Sequence, residues 1–263
     1  MKKSDYHIHT KLCKHAEGEM EAYVERAIEK GLGEIAFTDH IPLPDQFDIA
    51  HRMELHELDG YLEKIFKLKK QYPDINIKAG IEADYYEGFE PFLDKLLSSR
   101  PFDIVIMSVH FIKGWDNGNW AFKYDFPGKS IKQIYSEYLS AVMKGIKTGL
   151  FNVVGHLDLI KSFGHPLLET NTNEVEMIFK LVNKMNMAVE LNTSGLRKKI
   201  GEVYPNLSFI PLLEANNIPV TLGSDAHKPE DTGFYFDEIL VKLSEFRNIR
   251  FASFDKRKMF TNK

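Results

Sequence analysis

The chain alternates short apolar runs with longer amphipathic runs along most of its length, and this alternation restricts the possible folds most strongly. Strands that alternate with helices form a parallel sheet. The predicted strands are Asp5–Thr10, Glu34–His40, Asn76–Tyr85, Asp103–His110, Asn152–Leu159, Met187–Thr193 and Pro219–Asp225. The predicted helices are Glu19–Lys30, Glu54–Gln71, Pro91–Ser99, Ile131–Thr148, Thr172–Lys184, Leu207–Asn216 and Phe236–Phe246. Seven such units without a linker predict one α/β barrel domain over residues 1–263.

Local signals support several of these boundaries. Gly31 and Gly149 follow predicted helices, where a glycine commonly provides the left-handed C-cap conformation. Asn171 or Thr172 is the expected N-cap of the fifth helix. Two connections are long, Ile41–Met53 and Phe111–Lys129, and long loops in a compact domain tend to be functional.

Composition excludes several classes of function. The chain has 263 residues, 43% of them apolar, with 34 basic and 38 acidic side chains. This balance provides no basic groove, so we expect a small substrate rather than a nucleic acid. The single cysteine, Cys13, excludes an internal disulfide and suits a reducing cytoplasm. The N-terminus has no apolar signal segment, and no run approaches the roughly 20 apolar residues that span a membrane. The sequence does not define an oligomeric state.

Metal-ligating residue types recur at the ends of the predicted strands. The first strand contains His7 and His9, which alternation places on one face, and two imidazoles on one face form a metal clamp. The further candidates are His15, His40, Glu82, His110, His156, Asp225 and His227. Seven of the ten histidines lie at or just beyond strand ends, which is the catalytic face of a parallel barrel. Structural histidines have no reason to concentrate there, so the pattern predicts a metal site.

The remaining candidates receive simpler interpretations. We interpret His51 and His56 as solvated side chains beside a polar helix start, and His165 as an exposed loop residue. Thiolates bind zinc well, but we interpret Cys13 as a small loop residue near the site rather than a ligand.

Arg197 follows the sixth strand toward the same end of the barrel. Its guanidinium is suited to bind a phosphate dianion through two parallel hydrogen bonds. Gly195 would let the backbone approach a ligand closely. Lys198 and Lys199 are interpreted as a surface basic cluster.

In their order along the chain, these motifs resemble the PHP superfamily, named for polymerase and histidinol phosphatase. The pattern is His-x-His, a loop histidine, Asp-His, Glu, His, Gly-His and Asp-x-His, from His7 to His227. The segments Gly-Ile-Glu-Ala-Asp-Tyr (80–85) and Glu-Leu-Asn-Thr-Ser-Gly-Leu-Arg (190–197) resemble the histidinol-phosphate phosphatase branch.

The resemblance implies a distorted (β/α)7 TIM-like barrel with a trinuclear metal site. It assigns the first metal to His7, His9, Glu82 and Asp225, the second to Glu82, His110 and His156, and the third to His15, His40 and His227. Imidazole and carboxylate ligands suit two to three divalent ions of zinc, iron or manganese. Arg197 would bind the phosphate, with Lys161 as a second phosphate-binding cation.

The implied activity is metal-dependent hydrolysis of L-histidinol phosphate to L-histidinol and phosphate in histidine biosynthesis. Clustered metals neutralise the phosphoryl oxygens and lower the pKa of a bound water to about 7. Arg197 would stabilise charge in the transition state. Asp225, His227 or Asp39 would serve the leaving alkoxide. Alternatively, Asp39 and Asp158 would orient imidazole ligands.

Three other functions stay open at this point. One is a phosphoesterase of the same superfamily that acts on nucleotides or other small esters. Another is an amidohydrolase-type metal hydrolase, which also begins with His-x-His, and the third is a non-catalytic metal-binding module. The side chains of Trp115, Trp120, Tyr85 and Asp84 lie on predicted rim segments, where they would contact substrate or pack within loops.

Overall fold

The computed structural model describes residues 3–115, 120–121, 128–166 and 171–262. The strands are β1 (Ser4–Ile8), β2 (Glu34–Phe37), β3 (Asn76–Asp84), β4 (Ile104–Ser108), β5 (Val153–Val154), β6 (Ala188–Asn192), β7 (Val220–Gly223), β8 (Phe251–Asp255) and β9 (Lys258–Asn262). The α-helices are α1 (Met20–Glu29), α2 (Leu58–Gln71), α3 (Glu90–Ser98), α4 (Ile131–Lys147), α5 (Thr172–Lys184), α6 (Ile210–Ala215) and α7 (Phe236–Leu243). Part of the predicted loop Phe111–Lys129 lies outside the described residues.

The nine strands form one sheet in their order along the chain, so the α/β class with a mostly parallel sheet is confirmed. Neighbours from β1 to β8 pair in parallel, whereas β8 and β9 form an antiparallel hairpin. All seven predicted strands and helices are present. The prediction of only seven strands is wrong, because the hairpin adds two more beside β7.

Hydrogen bonds also join the first strand to the chain just beyond β7. The backbone N–H of His9 donates to the carbonyl of Ala226 at 3.0 Å, and the N–H of Ala226 donates to the carbonyl of His7 at 3.2 Å. The ends of β1 and β7 therefore lie side by side, which brings the first and last ligand motifs together.

The apolar core has two parts. The larger part packs the apolar faces of the helices against the sheet. The smaller part consists of Tyr6, Ala36, Ile104, Ile106, Val153, Ala188, Ala252 and Phe254. On β4, strand alternation places Ile104 and Ile106 on the same face as Ser108, which contacts Glu82. An apolar layer that includes the C-terminal hairpin therefore lies beneath the candidate site.

The predicted caps are confirmed. Gly31 and Gly149 follow α1 and α4 with φ of +68° and +70°, a conformation in which glycine is unstrained. Asn171 occupies the N-cap position of α5. In the described part of the chain, no helix has the length and apolarity needed to cross a membrane.

Candidate metal centre

Glu82 lies among imidazoles at the carboxyl ends of the parallel strands. It occupies β3 and is only 1% exposed. The closest imidazole nitrogens are His40 Nδ1, 2.7 Å from its Oε2, and His156 Nε2, 2.9 Å from its Oε1. The others around the carboxylate are His7 at 3.4 Å, His9 at 3.5 Å and His110 at 3.6 Å. One carboxylate is thus shared among five imidazoles.

The residues that follow β7 complete the cluster. Asp225 Oδ1 lies 3.2 Å from His9 Nε2, and His227 Nε2 lies 2.9 Å from His15 Nε2. Asp225 has φ of +52°, a left-handed conformation that is unusual for a non-glycine residue. Such conformations cluster at functional sites because the surrounding structure must hold them.

All nine predicted ligands converge in this cluster. In several sets of the described residues, one ligand atom of each member lies within 4.8 Å of the others, a spacing at which the set could hold a metal ion, and three of these sets consist of predicted ligands alone. These three sets are His7, His9 and Glu82; His7, His156 and Asp225; and His15, His40 and His227. The last has the same members as the third metal set expected from the sequence.

Several buried ligand atoms have no hydrogen-bond partner among the described residues. They include His7 Nε2, both ring nitrogens of His9, His40 Nδ1 and Glu82 Oε2. His40 Nδ1 and Glu82 Oε2 lie close together, yet neither has hydrogen-bonding geometry. Leaving buried polar atoms unpaired is costly, and a bound cation would satisfy them. The donor set therefore fits a metal site.

Carboxylates outside the cluster orient two of the imidazoles. Glu190 Oε1 accepts a 2.6 Å hydrogen bond from His7 Nδ1, and its Oε2 accepts from the backbone N–H of His156 at 2.9 Å. Asp84 Oδ1 accepts from His110 Nδ1 at 2.8 Å. Hydrogen bonds of this kind fix the tautomer and ring orientation of a metal ligand. Asp84 thus has an orienting role that the sequence did not indicate.

Two aspartates were expected to orient imidazoles. Asp39 lies 3.5 Å from His9 Nδ1 without hydrogen-bonding geometry and accepts from the backbone N–H of His40 at 2.8 Å, so its orienting role stays a prediction. Asp158 instead lies 2.9 Å from Lys161 Nζ and accepts from the backbone N–H of Asn206 at 3.2 Å.

The charges of the cluster favour a bound cation. Burial raises the pKa of Glu82, but His40, His7 and His110 lower it, and the pKa lies well below its usual range. Burial lowers the pKa of His40 to about 4. Burial also lowers the pKa of His7, but Glu190 and Glu82 hold it well above its usual range. The Glu82 carboxylate is thus ionised, and it stabilises positive charge beside it.

A cavity of about 650 Å³ opens above the cluster. Arg197, Ser194 and Asp231 line this cavity. It is also lined by the wall residues Asp48, His51, Arg52, Phe111 and Trp120. Glu82, His110, His156 and His227 also face the cavity. A small ligand in the cavity would contact the metal-binding residues directly.

Arg197 is fixed against the backbone that carries Asp225. Its Nη2 donates to the carbonyls of Ser224 at 2.8 Å and Asp225 at 3.1 Å, and its Nε lies 3.3 Å from Asp231 Oδ2. Nη1 is buried and has no hydrogen-bond partner among the described residues. A positioned guanidinium thus keeps one donor group for a ligand.

Gly195 was expected to let the backbone approach a ligand closely, but the close approach in the structure has a different partner. A Cβ at this position would lie 2.0 Å from the carbonyl oxygen of Glu202 and 2.8 Å from the ring of Tyr204. The close approach is therefore to the chain itself rather than to a ligand. Lys198 and Lys199 are exposed as predicted, although Lys198 also borders the cavity.

Lys161 lies apart from the cavity lining. The side chain is fully buried, and Nζ contacts Asp158 at 2.9 Å, Glu202 at 3.0 Å and the carbonyl of Val203 at 2.8 Å. Its charge is thus already matched by two carboxylates. Binding of phosphate by Lys161 stays a prediction.

The interpretations of the other histidines and of Cys13 agree with the structure to different extents. His56 and His165 are exposed as predicted. His51 is partly exposed, in agreement with its interpretation as solvated, and it also lines the cavity, which the sequence did not indicate. Cys13 is buried, and its thiol lies within ligand distance of His9 and His227, closer to the site than expected.

Aromatic and basic residues, most of them from the two long loops, lie in or near the walls of two cavities. Trp120 lines the main cavity, whereas Tyr85 and Trp115 line a second cavity of about 380 Å³. Arg52 was not identified from the sequence. It is 2% exposed and donates to Asp84 and Asp48, and its position in the long loop Ile41–Met53 was the only signal available.

The model of the PHP domain family matches residues 5–194. The chain belongs to the PHP domain family. A probable histidinol-phosphatase of Deinococcus radiodurans is 34% identical over 97% of both chains. The histidinol-phosphatase of Bacillus subtilis is 32% identical and covers 92% of this chain and 100% of its own length.

A solved structure shows the same likeness in three dimensions. The crystal structure of histidinol phosphate phosphatase from Lactococcus lactis, in complex with zinc, L-histidinol and phosphate, matches with a TM-score of 0.80. It is 25% identical, and the match covers 98% of this chain and 99% of that one.

Proposed function

We propose that the protein hydrolyses L-histidinol phosphate to L-histidinol and phosphate in histidine biosynthesis. The carboxylate of Glu82, shared among five imidazoles on the floor of an open cavity, is the observation that carries the proposal. The relatives named histidinol-phosphatase and the complex of the Lactococcus lactis enzyme support the choice of substrate.

Two to three divalent transition metals would be held by the nine converging residues. His7, His9, Glu82 and Asp225 would hold one ion, Glu82, His110 and His156 a second, and His15, His40 and His227 a third. When bound, such ions supply charge neutralisation for the phosphoryl group and an activated water. The unpaired buried nitrogens and the zinc of the Lactococcus lactis structure support this assignment, with iron and manganese as alternatives.

The protein's own groups would bind and orient the ester. Arg197 would donate from Nη1 to a phosphoryl oxygen, because its other nitrogens already fix it to Ser224, Asp225 and Asp231. This contact strengthens as charge develops on the equatorial oxygens. Asp225 or His227 would serve the leaving alkoxide oxygen.

The architecture is proposed to be a single domain over residues 1–263, in which the sheet closes as a distorted (β/α)7 barrel. The bonds of Ala226 with the backbone of His7 and His9 support closure between β1 and β7. In that arrangement, the hairpin of β8 and β9 lies outside the seven-stranded ring and closes one end of its interior.

Phosphate release from a panel of esters tests the proposal. We expect L-histidinol phosphate to be hydrolysed with a higher kcat/KM than nucleotides or sugar phosphates, and a chelator to abolish the reaction. Faster hydrolysis of a nucleotide would assign a different substrate. Full activity in a chelator, with no metal in the purified protein, would contradict a metal-dependent reaction.

A further inference from the structure

His51 lines the same cavity as Arg197. It ends a 3₁₀ turn, Ile49–His51, within the long loop Ile41–Met53. Its side chain is 46% exposed, and its ring centroid lies 5.8 Å from that of His15. The imidazole thus lies beside His15, one of the expected ligands, at a solvent-exposed part of the cavity.

A carboxylate fixes the orientation of this imidazole. Asp48 Oδ1 accepts a 2.6 Å hydrogen bond from His51 Nδ1, and the Asp48 side chain is only 8% exposed. An ionised carboxylate can only accept, so Nδ1 carries the hydrogen. In the neutral ring, Nε2 is then a hydrogen-bond acceptor.

Arg52 connects this pair to the metal cluster. Its Nη2 donates to Asp48 Oδ2 at 2.8 Å, and both terminal nitrogens donate to Asp84 Oδ2 at 3.1 Å. Asp84 in turn orients His110, one of the expected ligands. The position of His51 is therefore fixed relative to the metal cluster before any substrate binds, which reduces the entropic cost of recognition.

Aromatic rings complete the same wall. The Trp120 ring lies 5.2 Å from that of His51 in an edge-to-face arrangement, and 4.5 Å from the ring of Phe111. Aromatic faces favour contact with another flat ring. The wall thus combines a surface for a planar group with one oriented acceptor for an N–H donor.

We infer that His51 is a specificity residue, whose Nε2 accepts a hydrogen bond from the nitrogen-bearing alcohol half of the substrate. The donor is an N–H of either the imidazole ring or the ammonium group. This inference rests on the proposed function, since it assigns the cavity wall to the leaving alcohol. Neither metal binding nor phosphate binding requires His51.

The test compares substrates that differ only in the alcohol. We expect His51→Ala to lower the ratio of kcat/KM for L-histidinol phosphate to that for p-nitrophenyl phosphate by about tenfold or more, mainly through KM. p-Nitrophenyl phosphate offers no N–H donor. His51→Gln, which keeps an acceptor oxygen, should recover part of the ratio. The matched control is His56→Ala in the same segment, because His56 is 76% exposed and should leave the ratio unchanged.

Two analogues identify the donor. Imidazolylpropyl phosphate lacks the ammonium group, and alaninol phosphate lacks the imidazole ring. If the imidazole ring is the donor, His51→Ala should lower kcat/KM for imidazolylpropyl phosphate but not for alaninol phosphate. If the ammonium group is the donor, His51→Ala should lower kcat/KM for alaninol phosphate but not for imidazolylpropyl phosphate. Metal content measured in each variant should equal that of the wild type.

The outcomes separate the inference from the proposed function. An unchanged ratio in His51→Ala, with a wild type that still prefers L-histidinol phosphate, overturns the inference and leaves the proposed function intact. A wild type without that preference overturns both. A metal-depleted His51→Ala variant would place His51 with the ligands and would also overturn the inference.

Discussion

Glu82 is the residue whose loss should disturb the metal centre most, because five imidazoles surround its carboxylate. We expect Glu82→Gln to lower both the metal content and kcat, the latter by about a hundredfold or more. His15→Ala should cost less, since His15 contacts the edge of the cluster and not Glu82. Elemental analysis with steady-state kinetics measures both effects. Near-normal turnover and metal content in Glu82→Gln would refute the bridging role.

Arg197 should affect turnover without affecting metal content. Charge-assisted hydrogen bonds are worth roughly 1.5–3 kcal/mol, so Arg197→Met should reduce kcat/KM about ten- to more than a hundredfold. Lys199→Met is the matched control, because Lys199 is a nearby exposed cation. Unaltered kinetics in Arg197→Met would remove this residue from phosphate binding.

The nine candidate ligands could be predicted because each lies near or just beyond the end of a predicted strand, and the ends of parallel strands share one edge. The roles of Glu190, Asp84, Arg52 and His51 could not. Most of these roles depend on a partner from a distant part of the chain, such as Glu190 with His7 or Arg52 with Asp84. Sequence order gives the face on which a residue lies, but not the atom that it contacts.

At the scale of single elements, Gly195 is needed for packing of the turn that carries Arg197. A Cβ there would lie 2.0 Å from the Glu202 carbonyl oxygen, so we expect Gly195→Ala to destabilise the fold by about 1–3 kcal/mol. Gly60→Ala is the control, because nothing lies within 4 Å of a Cβ at this position in α2. It should stabilise the protein by about 0.5–1 kcal/mol. Denaturant unfolding measures both variants, and equal stability of the two would contradict the packing argument.

The C-terminal hairpin shows what local signals miss. Its turn residues, Lys256 and Arg257, have φ of +48° and +65°. Turns with two such residues are normally marked by Asn-Gly or Asp-Gly, and neither is present. Phe254 nevertheless packs with Tyr6 at the interior of the sheet, with ring centroids 6.1 Å apart. Tertiary packing therefore specifies this hairpin, and sequence pattern alone could not.

At the scale of the whole molecule, the metal cluster joins the first strand to the last ligand motif. Metal removal should therefore lower global stability as well as activity. At a metal concentration of about a hundred times Kd, binding adds about 2.7 kcal/mol, so a chelator should lower Tm by about 5–10 °C. In Glu82→Gln, the chelator should lower Tm by less than it does in the wild type. Equal Tm with and without chelator in the wild type would show that the fold does not depend on metal.

The order of strands in the sheet was predictable from the regular alternation of apolar and amphipathic runs. The barrel prediction implied that the first strand joins the last, but the particular bonds of Ala226 with His7 and His9 could not be predicted, because they are long-range contacts. The alternation specifies which elements neighbour each other, whereas twist and packing determine whether the sheet closes.

Exposure changes across the cavity, from 1% at the Glu82 side chain to 46% at His51. We expect the reaction products to leave such a cavity in a fixed order. The phosphate would lie against the buried cluster, with the alcohol between it and solvent, so the alcohol should leave first. Phosphate should then inhibit competitively against the ester, whereas L-histidinol should inhibit noncompetitively. Initial-rate product-inhibition experiments measure these patterns, and competitive inhibition by both products would indicate release in random order.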